Sequence, residues 1–89
     1  MHTLGGTALI FLSFAERYAM RGRMGSEGSW IAHGGLGNAA NALAKETIDA
    51  PQSHSRLLSS AGDAGNPKAF VRQVAVETTG KGTPPSAQS

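Results

Sequence analysis

Residues 1–15 contain no Asp, Glu, Lys or Arg, and within them Ala8-Leu9-Ile10-Phe11-Leu12-Ser13-Phe14-Ala15 is the most apolar run of the chain. Whatever this chain folds into has to cover that surface, because water leaves apolar area unsatisfied roughly in proportion to its extent. Read as a helix over about 7–20, the run places Leu4, Phe11 and Tyr18 at heptad spacing with Ala8, Leu12 and Ala15 beside them. Thr7 is then an N-cap candidate. Arg17, Arg21 and Arg23 fall at the C-terminal end, where the helix dipole favours cations, and Gly22 or Gly25 can stop the helix. Two alternatives stay open. Thr7–Leu12 also reads as a strand, followed by a helix that opens on the capping box Ser13-Phe14-Ala15-Glu16. Residues 1–20 also read as a signal or anchor, with small residues at 13 and 15. No cation precedes the apolar run, as a signal peptide requires, and Glu16 and Arg17 interrupt it before the ~20 apolar residues of a membrane span.

The rest of the chain offers little to cover this face. Leu, Ile, Val and Phe number 16 of 89 residues, below the roughly 20% at which packing becomes doubtful. A net charge of +2 is too small to enforce disorder. The pI near 9.5 reflects only that small surplus and does not make a nucleic-acid groove. Cysteine is absent, which removes disulfides, thiolate metal sites and cysteine nucleophiles.

Downstream of the arginines, six glycines within 22–37 read as a flexible connector with one anchor, Trp30-Ile31. Residues 38–50, NAANALAKETIDA, read as a helix with Asn38 as N-cap, ended by Pro51. Its apolar side is thin, which suits close packing on one other helix. Residues 51–66 read mostly as loop, with a short turn around Leu57 and Leu58 that Ser53 opens and Gly62 closes. Asn66-Pro67 resembles an N-cap followed by a first-turn proline, and predicts a helix over Pro67–Val76; the valines and threonines of 70–78 keep a strand open there. Residues 80–89, GKGTPPSAQS, read as a disordered tail. The expected architecture is a mainly α protein of two to three short helices with a Gly-rich connector, occupying 1–79 as one small, incompletely ordered domain. An α+β arrangement is the minor alternative.

Sites of known chemistry are matched poorly. Gly35, Gly37 and Ala40 fit the dinucleotide-binding spacing G-x-G-x-x-A. That site also needs a preceding strand and an acidic residue about 20 positions on, where Ser55 stands. The expected role of these glycines is a linker ending at a capped helix. Gly80-Lys81 resembles the end of a phosphate-binding loop, but Ala75 and Gly82 replace its required residues and Pro84-Pro85 follow. His2, His33 and His54 are spaced 31 and 21 apart, which matches no metal motif. G-x-S-x-G does not occur, and the carboxylates are scattered. No catalytic residue, cofactor, metal or small-molecule substrate is expected.

What remains is an apolar helix with arginines at one end. The leading expectation is a non-enzymatic interaction protein whose helix at about 7–21 docks on a protein partner, a second copy or a membrane surface. Its candidate contact residues are Leu4, Phe11, Leu12, Arg17, Tyr18, Arg21 and Arg23. Nucleic acid is the less favoured partner, and a cytoplasmic location is favoured over export. The alternatives are an exported or anchored protein using residues 1–20, and a fragment or reading frame without a selected function.

Overall fold

A computed structural model of the chain describes residues 6–21, 25–63 and 65–83. Five α-helices are formed by these residues, and among them there is no strand: α1 (Gly6–Arg21), α2 (Gly25–Ala32), α3 (Gly35–Leu43), α4 (Gln52–Ala61) and α5 (Pro67–Thr79). The four longer helices close a ring in which α1 packs on α3 and α5, and α4 packs on the same two from the other side. The short α2 bridges α1 and α3.

The helical reading of the apolar run holds, and the strand alternatives at 7–12 and 67–79 do not. α1 turns Leu12, Ala15 and Tyr18 inward, three residues apart along one stripe. They join Ile31 of α2, Leu36, Ala39, Ala40 and Leu43 of α3, Leu57 of α4, and Phe70 and Val74 of α5 in one core. Alanines carry much of this packing: Ala15, Ala39, Ala40 and Ala75 are all fully buried. A count of large side chains misses them. Small residues bring helix axes close, so a few leucines and one phenylalanine suffice to fill the centre.

The second correction concerns the glycine-rich connector. Residues 25–32 are helical, and only His33-Gly34 turn the chain before α3 begins. Gly34 makes the turn in the left-handed region at φ 83°, which costs glycine nothing, and its N–H donates to the carbonyl of Ile31 at 3.2 Å. α3 starts at Gly35, three residues ahead of the expected cap, so Asn38 lies inside the helix. It also ends earlier than expected. Residues Ala44–Glu46 tighten into a 3-10 turn, the Thr47 hydroxyl donates to the carbonyl of Ala44 at 2.9 Å, and Thr47 itself is extended. Pro51 therefore stands just before α4 and does not end α3.

A third correction is that residues 52–61, expected as loop, form α4, with Gly62 as its C-cap as anticipated and Ser53 inside the helix. α5 begins as its sequence predicts: the Asn66 side chain accepts from the N–H of Ala69 at 3.3 Å, and Pro67 occupies the first turn. It runs three residues past the expected end, to Thr79, where Gly80 at φ 74° caps it by donating to the carbonyl of Val76. Asn66→Ala is expected to cost about 1 kcal/mol, the usual worth of an N-cap. At roughly 4–8 °C per kcal/mol for a domain of this size, a thermal melt resolves that loss. Of the expected tail, Gly80–Thr83 are bends and 84–89 lie outside the described residues.

Candidate functional site

Two side-chain clusters lie at the edge of the apolar core, and Phe11 and Trp30 of the first pack against it. The first lies where α1 meets α2. Phe11 and Phe14, three apart on α1, both reach Trp30 of α2. The Phe11 and Trp30 rings stack at 5.8 Å between centroids and 14° between planes. Phe14 meets Trp30 at 5.5 Å and 33°. One turn on, the Arg17 guanidinium carbon sits 4.9 Å from the centre of the Phe14 ring, within cation–π range. All three rings are part-buried, Arg17 is exposed, and Ile10, four residues before Phe14, is 58% exposed. Trp30 is seated against Gly35, which has no side chain to displace it. Three of the five aromatic residues of the chain are thus gathered at one surface.

Of the contact residues expected from sequence, Phe11 and Arg17 belong to this cluster. Leu12 and Tyr18 do not: they are turned into the core, at 0% and 8% exposure, because α3 and α5 cover the stripe they share with Ala15. The face that looked too large for this chain to cover is in good part covered by it. Leu4 and Arg23 lie outside the described residues, and Arg21 is described only as the last residue of α1. Ile10, Phe14 and Trp30 are not among the contact residues named from the sequence. The spacing of Phe11 and Phe14 placed two rings on adjoining faces, but Trp30 joins them only because α2 folds back on α1.

The second cluster was not anticipated at all. Glu77 of α5 is 4% exposed and its carboxylate is surrounded by donors. The Ser53 hydroxyl donates to Oε1 at 2.7 Å. Arg56 donates through Nε to Oε2 at 2.5 Å and through Nη2 to Oε1 at 2.9 Å, a bidentate pair. Gln73, one turn earlier on α5, donates to Oε2. Asp49 adds a looser contact to Arg56 at 3.7 Å. These donors, Arg56 first, hold the Glu77 carboxyl at about 2, below the ordinary 4.5 and against the opposing effect of burial. No buried side-chain N or O among the described residues lacks a partner. A carboxylate held ionised by four hydrogen bonds is a poor general base, and Ser53, fully buried, offers no nucleophile to a substrate. The arrangement ties helices together.

His54 Nε2 meets Asn41 Oδ1 at 2.9 Å between α4 and α3, and His33 Nδ1 meets the carbonyl of Ser29 at 2.8 Å. Among the described residues no group of three or more His, Asp or Glu side chains is placed to hold a metal ion, and no helix is long and apolar enough to cross a membrane. Of the residues that fitted a dinucleotide spacing, Gly35 seats Trp30, and Gly37 and Ala40 lie within α3, with no strand before them. No family model, curated protein or solved structure matches this chain.

Proposed function

We propose that this chain is a non-enzymatic interaction protein that docks on a protein partner through the outer surface of α1 and α2. The supporting observation is the aromatic cluster. Phe11 stacks on Trp30 and Phe14 meets it tilted, all three part-buried, with Arg17 against Phe14 and Ile10 exposed beside them. Aromatic residues and arginine dominate the binding energy of protein interfaces. Stacked rings also lose little side-chain freedom on docking, because their rotamers are already held.

A photo-crosslinking amino acid placed at Ile10, in cells producing the full chain, tests this reading. It is expected to trap one discrete protein, and the same group at Leu58 is expected to trap none. Leu58 is also exposed, but lies on α4, which packs on α3 and α5. Equal adducts from both positions, or none from Ile10, would overturn the proposal. Adducts of the chain with itself would replace it with self-association, and adducts to lipid alone with a membrane-surface role.

A further inference from the structure

We propose that residues 47–61 form a strap that opens as one unit, held on the rest of the fold mainly by Glu77. The side chains that each helix buries differ in kind. α3 buries Leu36, Ala39, Ala40 and Leu43, and α5 buries Phe70, Val74 and Ala75. α4 buries Leu57 and Ser53, with Ala61 only part-buried against the core. One leucine is a small apolar anchor for a ten-residue helix, and α4 has no side-chain cap at its N-terminus.

Polar contacts make up the difference, and they converge on one residue. The backbone carbonyl of Glu77 accepts from the N–H of Ile48 at 2.8 Å, which fixes the segment ahead of α4. The carboxylate of the same residue takes Ser53 and Arg56 from the first half of α4. Arg56 in turn reaches back to Asp49. The exposed His54–Asn41 contact adds a polar tie from α4 to α3, beside the packing of Leu57. Loss of the Glu77 contacts therefore releases 47–61 together, while α1, α2, α3 and α5 keep the side chains they bury in common. Such an opening uncovers Leu57 and the surface of α3 and α5 beneath it. Cooperative units of this kind open at less than the full cost of unfolding.

Native-state amide hydrogen exchange on the full chain tests this directly. In the unmodified protein the amides of 55–61 are expected to exchange as one group, ahead of the buried turns of α1, α3 and α5. Arg56→Gln, which leaves Glu77 its contacts with Ser53 and Gln73, is expected to speed exchange of that group several-fold. Leu12→Val, one methylene shorter in a helix on the far side of the ring, is expected to speed the slowest amides and leave 55–61 unchanged. Leu12 keeps its contacts whether the strap is closed or open, so the substitution weakens both states alike. Exchange of 55–61 in the slowest group, an unchanged rate in Arg56→Gln, or equal acceleration of all helices by Leu12→Val would each overturn the proposal.

Discussion

Gly35→Ala is expected to destabilise the protein by about 3 kcal/mol, the upper part of the range for overpacking a filled site. A Cβ at this position collides with Cδ2 and Cε2 of the Trp30 ring and lies 2.6 Å from the Trp30 carbonyl oxygen. A flexible side chain can move aside, but the carbonyl belongs to α2, whose last turn leads directly into the Gly34 turn. Relief therefore needs α2 and α3 to part, and with them the stacking of Trp30 on Phe11 and Phe14. Gly37 provides the control. It lies in the same helix with nothing within 4 Å of its Cβ position. Gly37→Ala is expected to stabilise by roughly 0.5–1 kcal/mol, the difference in helix propensity. Urea denaturation of the two variants reads both effects. Similar small shifts in the two would mean that Trp30 does not rest on Gly35. The fluorescence of Trp30, the single tryptophan, should change only in Gly35→Ala.

Glu77→Ala is expected to cost about 3 kcal/mol at neutral pH, because it removes the buried acceptor on which Ser53, Arg56 and Gln73 converge. The Ser53 hydroxyl loses its acceptor, and Arg56 keeps only looser contacts, to the Ser53 hydroxyl at 3.5 Å and to Asp49 at 3.7 Å. Acid should reproduce the loss in the unmodified chain. The folded carboxyl titrates at about 2 instead of its ordinary 4.5. Its contribution is therefore fully present above about pH 4.5 and disappears as the pH falls toward 2, a total of about 3 kcal/mol by linkage. Stability measured by urea at a series of pH values should fall through that window, and Glu77→Ala should flatten the fall. An acid limb of equal size in both proteins would assign the loss to other carboxylates.

The two predictions concern different halves of the ring, and their consequences differ. Disturbing Gly35 removes the surface through which the chain is proposed to bind. Disturbing Glu77 loosens α4 and leaves the aromatic cluster in place, since α4 packs mainly on α3 and α5 and the cluster lies on α1 and α2. Crosslinking from Ile10 should therefore survive Glu77→Ala in whatever fraction of the protein remains folded, and be lost in Gly35→Ala.

Some of this was determined by local sequence alone. The apolar run at 8–15 made α1, because its apolar positions repeat with the helical period and nothing within it breaks a helix. Asn66-Pro67 started α5, because a cap and a first-turn proline act within one turn of chain. Gly62 ended α4 for an equally local reason. The placement of Phe11 and Arg17 on α1 follows from the same short-range signals.

The tertiary structure decided the rest. Glycines in 25–37 carry a propensity cost of about 1 kcal/mol each in a helix, so that segment read as a connector. Burial of Ile31 and Leu36, and the seating of Trp30 on Gly35, offset the cost in a way that only neighbouring helices make available. α4, rich in serine and with a single buried leucine, owes its docking to a carboxylate 24 residues beyond Ser53 and 21 beyond Arg56. No local pattern announces such a partner. Leu12 and Tyr18 carry the same lesson for the binding surface. Periodicity put them on an apolar face, but whether a face meets a partner or its own chain depends on what packs beside it, and here α3 and α5 bring alanines close enough to close over it.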